Sequence, residues 1–160
     1  MGDFDPAKLS FIGCELVSQM VSSPLLTFIN PTERSADFEC QRAISLVPEE
    51  SSVIVFWMLS LKALGEREDA GEVVASCEAT YRSMFTYEEF EELWVVDEES
   101  GEPIDGHFNF NASATLHSLS YSTVRGMFLL HQAQTPFAQA MLPIYTINEL
   151  LGMELVEVEE

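Results

Sequence analysis

The stretch Leu116–Leu151, LHSLSYSTVRGMFLLHQAQTPFAQAMLPIYTINELL, constrains the fold of this chain more than any other. Tyr121, Val124, Met127, Phe128 and Leu130 recur at three- and four-residue steps, which puts an apolar face on a helix. Phe128, Leu129 and Leu130 in succession widen that face. Gln134-Thr135-Pro136 ends the helix, because a proline disfavours helical geometry at the residue before it. Thr146-Ile147-Asn148-Glu149 then has capping-box spacing, so a short final helix starts there, and Gly152 fits its stop. Between the two helices lies an apolar loop with little charge. Such a loop needs a surface to lie on.

Upstream the pattern is that of strands. Lys8–Ser22 alternates, with Ile12, Cys14, Leu16 and Met20 expected on one face. Leu25–Ile29 is a second short apolar run, closed by Asn30-Pro31. Ala36–Val47 alternates most cleanly: Phe38, Cys40, Ile44 and Leu46 on one face, Asp37, Glu39, Gln41 and Ser45 on the other. After the turn Pro48-Glu49-Glu50-Ser51, Ser52–Leu64 is apolar on both faces. Two-sided burial, a subunit interface or a groove floor would each account for that. Gly65–Gly71 reads as a charged turn. Glu72–Phe85 is the fourth strand, with Val73, Ala75, Cys77, Ala79, Tyr81 and Phe85 on one face. Four strands joined by short polar turns predict an antiparallel sheet. Thr86–Trp94 reads as a short amphipathic helix or turn, Asp97–Asn111 as an acidic loop, and Met153–Glu160 as an acidic, frayed tail.

One domain is expected over the 160 residues. With 47% hydrophobic residues the chain is not a disordered acidic protein. A formal charge of −20, from 27 acidic and 7 basic residues, argues against nucleic acid and against anionic membrane surfaces. The same charge would keep a protein soluble while it exposes apolar surface. Met1-Gly2-Asp3-Phe4-Asp5 lacks the basic start of a secretory signal, and the apolar run Val53–Leu59 is too short to span a bilayer. Cys14, Cys40 and Cys77 are odd in number and sit in strand-like runs, which predicts reduced, buried thiols in a cytoplasm rather than a disulfide frame.

The chain offers few residues for chemistry. His107, His117 and His131 show no metal-ligand spacing and there is no CxxC, so no metal or cofactor is expected. No GxSxG elbow, P-loop or GxGxxG is present. The carboxylate pairs Glu88-Glu89, Glu91-Glu92 and Glu98-Glu99 read as solvated charge. A binding protein rather than an enzyme is expected, with its candidates among the large apolar residues: Trp57, Phe85, Tyr87, Phe90, Trp94, Phe137, Met141, Leu142, Ile144 and Tyr145.

Four antiparallel strands, a long helix, a proline-terminated apolar loop and a short last helix resemble the SecB family of export chaperones. Tyr121-Ser122-Thr123-Val124-Arg125 stands where that family carries aromatic-Pro-x-x-Arg, with Ser122 in place of the proline. Phe137, Gln139, Leu142, Pro143 and Leu150 fall close to the family pattern. The Ser-Phe-Glu-x-Pro segment after the first strand is missing, and Tyr87–Trp94 with the acidic loop replaces Gly-rich turns. The resemblance is thus to a divergent member.

It implies an α+β fold, a four-stranded antiparallel sheet with a long helix in the C-terminal half and a short final helix. It also implies a homotetramer built as a dimer of dimers, with Tyr121, Val124, Phe128 and His131 at the oligomer interface. Trp57, Phe85, Phe90, Trp94, Phe137, Leu142 and Ile144 would line a groove for unfolded or precursor polypeptides, held without nucleotide. The family hands clients to the SecA translocation motor. A chaperone dedicated to one partner, such as an antitoxin, is the variant within the class. From the residues alone, a small α+β domain enclosing an apolar ligand is the rival.

Overall fold

The structure, a computed structural model, describes residues 4–22, 36–64, 73–96, 103–135, 137–138 and 140–152. Strands β1 (Leu9–Ser22), β2 (Ala36–Val47), β3 (Ser52–Leu64) and β4 (Val73–Tyr87) form one antiparallel sheet in the order β1-β4-β3-β2. A small second sheet pairs β5 (Trp94–Val96) with β6 (Pro103–Phe108). Helix α1 (Phe110–Gln132) crosses one face of the large sheet, and α2 (Ile147–Gly152) closes the described chain. The runs Leu25–Ile29 and Gly65–Gly71, the tail Met153–Glu160 and Pro136 lie outside the described residues.

β2 and β3 have the bounds their alternation predicts, because both are regular and a turn of proline and glutamate separates them. Pro48–Glu50 form a short 3-10 turn, and Ser51 reverses the chain with φ of 49°. Every odd position of β3 from Val53 to Ala63 is buried, as are alternate β4 residues from Ala75 to Tyr87. These positions share the face beneath α1. Ile54, Phe56 and Met58 lie on the other face and are only half-buried. The doubly apolar strand is therefore covered on one side by its own helix, while the described residues leave its other side half-exposed. That open face also carries the ion pairs Arg82–Glu15 and Lys62–Glu39, the latter 2.7 Å long.

β1 departs from its expected faces. The register slips between Phe11 and Gly13 and again between Leu16 and Ser18. Each bulge inserts one residue and swaps the sides of everything beyond it. Cys14 and Leu16 do pair opposite the buried Ser83 and Tyr81, but Met20 pairs opposite Glu78 and is exposed, as is Ile12 in the first bulge.

The described part of the expected loop before the helix is a strand. Within the expected loop Asp97–Asn111, residues 103–108 form β6, and α1 starts at Phe110. Asn109 caps it, its side-chain oxygen accepting from Asn111 N–H at 2.9 Å and Ala112 N–H at 3.4 Å. Thr86–Trp94, expected as a short amphipathic helix or turn, is the end of β4, a turn and a 3-10 segment, Phe90–Leu93. At its far end α1 stops at Gln132, where Ala133 N–H turns back to Leu130 O. The capping box at α2 forms as expected. Glu149 accepts from Thr146 N–H at 2.7 Å and from the Thr146 hydroxyl at 2.8 Å, donors that hold its carboxyl below the usual range, and Glu149 N–H lies 3.4 Å from Thr146 Oγ1 in return.

Candidate functional site

The site is built around an irregular segment, residues 140–146, laid along α1. Three side chains of α1 hold three of its carbonyls: Gln132 Nε2 donates to Ala140 O at 2.9 Å, Arg125 Nη2 to Leu142 O at 3.1 Å, and Tyr121 OH to Pro143 O at 3.0 Å. A chain that forms neither helix nor strand must find partners for its carbonyls elsewhere. Here the helix supplies them. Leu142 and Phe137 turn inward and are buried, whereas Met141 and Ile144 are 89% and 82% exposed.

Between this segment and α1 lies a recess of about 250 Å³, lined by Ser118, Tyr121, Ser122, Arg125, Ile144, Tyr145 and Leu150. Tyr145 stacks towards Tyr121 at 5.4 Å and towards Phe38 of β2 at 6.4 Å. The recess therefore abuts the half-buried apolar face of the edge strand β2. Burial raises the pKa of both tyrosines, so they stay neutral donors. Burial also pushes the Cys40 thiol up to about 12, which leaves it an unreactive apolar group.

A polar cluster braces the site from beneath. Arg42 is a charged residue on the inward face of β2, where the pattern Phe38, Cys40, Ile44, Leu46 is otherwise apolar. Its Nη1 donates to Nε2 of the buried His117, and its Nη2 donates to Leu151 O at 2.9 Å. His117 Nδ1 lies 2.6 Å from Ser113 O, so these partners assign the neutral tautomer with the proton on Nδ1. Desolvation, then the neighbouring Arg42 charge, lower the His117 pKa to about 4. One arginine thus ties β2, α1 and the end of α2 together.

Most residues expected at the groove prove to be core. Trp57 and Phe85 are fully buried under α1, and Phe137 and Leu142 are buried behind the segment they belong to. Phe90 and Trp94 are half-buried near the start of α1. There Trp94 packs on Phe108 at 5.0 Å, and Asn109 N–H donates to Leu93 O at 2.7 Å. Of that set only Ile144 lines the recess.

The residues expected at the oligomer interface face inward too. Tyr121, Val124 and Phe128 pack on the chain's own sheet, and half-buried His131 stacks on Tyr81 with its Nδ1 2.8 Å from the phenol. The apolar periodicity of α1 marks its sheet side. Away from both the sheet and the recess it carries Leu119, Gly126 and Leu130 instead. Arg42, His117, Arg125 and Gln132 were not singled out for these contacts. A charge in register with an apolar strand face was the available signal for Arg42.

Among the described residues no cluster of His, Cys, Asp or Glu is arranged to hold a metal, and no helix is long and apolar enough to cross a membrane.

A four-stranded antiparallel sheet, a long helix on one face and a short helix reached by a pinned crossing segment together define a SecB-like α+β fold. The SecB-like chaperone Rv1957 of Mycobacterium tuberculosis, solved in complex with a ChAD peptide from the antitoxin HigA1 (Rv1956), is similar in structure. The TM-score is 0.57 at 16% identity, over 88% of this chain and 91% of that one. No family model matches the sequence, and no curated protein matches it.

Proposed function

We propose that the protein is a cytoplasmic chaperone of SecB type, a holdase that binds unfolded polypeptide without nucleotide or catalysis. The observation that carries this reading is the pinned segment beside α1. Met141 and Ile144 are held outward by a backbone pinned at the Ala140, Leu142 and Pro143 carbonyls, next to an open recess. Exposed apolar side chains fixed by polar contacts are a binding surface rather than a defect of packing. The charge of −20 keeps such a surface soluble. Clients bind as extended segments, burying their apolar side chains along the recess and the inward face of β2. Precursor proteins awaiting export are one client class, with SecA as the receiving partner. A role dedicated to one partner is favoured by a specific observation: the similar mycobacterial chaperone was solved with an antitoxin peptide.

Assembly as a homotetramer belongs to the same proposal, but through other residues than the sequence suggested. α1 contains no acidic residue in its 23 positions, an unusual stretch in so acidic a chain. Its outer side is small or apolar, with Leu130 75% exposed. The edge strand β1 also exposes Phe11, Val17 and Val21. Second copies cover both surfaces.

Light scattering tests both parts. A tetramer that keeps a reduced, unfolded client soluble and ignores the folded client is expected. A monomer that lets the client aggregate sinks the reading. Gly126→Leu separates assembly from folding. Among the described residues a Cβ at Gly126 meets nothing within 4 Å beyond its own helix backbone and chain neighbours, and leucine is the better helix former by about 0.8 kcal/mol. The variant is expected to fold at least as stably as the parent yet to lose mass in light scattering. Unchanged mass would place the assembly contacts elsewhere.

A further inference from the structure

We propose that the recess between α1 and residues 144–150 reads a carboxylate: its occupant is an extended peptide with an acidic residue next to an apolar one. This rests on the polypeptide-binding reading above and adds the chemistry of the client segment. Among the described residues, the four cations other than Arg125 are already engaged. Lys8 is paired with Glu89 and Glu92, Lys62 with Glu39, and Arg82 with Glu15. Arg42 is engaged by His117 and Leu151 O.

Arg125 differs. It donates from Nη2 to Leu142 O, its buried Nε has no partner, and among the described residues it pairs with no carboxylate. A half-buried guanidinium that pairs with no carboxylate among the described residues marks a place where the acid comes from elsewhere.

The surroundings fit such a group. The Ser118 and Ser122 hydroxyls line the same recess and can donate, while Ile144, Tyr145 and Leu150 form an apolar wall. A guanidinium offers a fork of donors that matches a carboxylate. An apolar side chain beside that carboxylate would lie on the wall. Long-range charge works the other way, because a chain of −20 repels acidic peptides. A preference for the acidic member of a matched pair must therefore come from a local contact.

The test uses the full chain and two short labelled peptides of identical sequence, one with Phe-Glu at its centre and the other with Phe-Gln. Fluorescence anisotropy is expected to show roughly tenfold tighter binding of the Phe-Glu peptide. Salt, which screens the long-range repulsion more than a half-buried contact, is expected to leave or widen that preference. Arg125→Gln, which keeps an amide donor for Leu142 O, is expected to erase or invert it. Equal binding by the parent protein, or tighter binding of the Phe-Gln peptide, overturns the proposal. So does a preference that survives Arg125→Gln. If that variant does not fold, the ratio on the parent protein decides. If neither peptide binds, the polypeptide-binding reading itself falls, and the carboxylate recess with it.

Discussion

Trp57→Ala is expected to lower the free energy of unfolding by about 3–5 kcal/mol. Trp57 sits at the centre of the sheet, on β3 between Arg42 and Tyr81, and is fully buried. Its indole N–H donates to Ser120 Oγ on α1 at 2.9 Å, and its ring meets Tyr121 at 5.2 Å and the edge of His117 at 5.9 Å. Alanine would remove the largest side chain between helix and sheet, and the strands on either side are fixed by ladder hydrogen bonds and cannot close the gap. Ser120→Ala, which strands the indole N–H without opening a cavity, should cost less, about 1–3 kcal/mol. Urea titrations read by far-ultraviolet circular dichroism check both. If Trp57→Ala left stability intact and weakened client binding instead, the residue would belong to a groove floor rather than to the core.

That contrast shows why the fold was more legible in the sequence than the site. β2 and β3 could be bounded from the chain because alternation is a local signal and turn residues punctuate it. β1 carries the same signal, but bulges at Ile12 and Val17 each consume a residue, and nothing in the composition announces them. The start of α1 was hidden for another reason. Its first turns, Phe110 to Leu116, are rich in small polar residues, and Asn109 alone signals the cap.

The site was misread by a bias with a physical cause. Ranking large apolar residues as binding candidates selects those with the most to gain from burial, so Trp57, Phe85, Phe137 and Leu142 went to the core first. The same holds for Tyr121, Val124 and Phe128, since the apolar stripe of a helix is turned towards the nearest sheet. What remains exposed is set by where the backbone of residues 140–146 is pinned. Those pins, from Tyr121, Arg125 and Gln132, join residues 22, 17 and 8 positions apart. The Arg42–His117 contact spans 75 positions. No local period reports such pairs.

His117 makes that long-range contact measurable through pH. Its folded-state pKa, about 4, lies below the ordinary histidine value of 6.5. The unfolded chain therefore binds the proton more readily over that interval, and stability falls as pH drops. The contribution is fully present above pH 6.5 and is lost progressively down to pH 4, a total of about 3 kcal/mol. Protonation would set an imidazolium against the Arg42 guanidinium, in a position where neither can reach water. Carboxylates also titrate at the acid end of this range, so the informative quantity is the difference between the parent protein and His117→Gln. Glutamine has no titrating proton, and its side-chain oxygen can accept from Arg42. Near pH 7.5 the variant is expected to lie within about 1–2 kcal/mol of the parent. Between pH 6.5 and 4 its urea midpoint should fall far less than the parent's. Parallel curves for the two proteins would mean that His117 titrates alike in the folded and unfolded chains. The Arg42 bridge from β2 through α1 to the end of α2 would then not be the brace that its geometry describes.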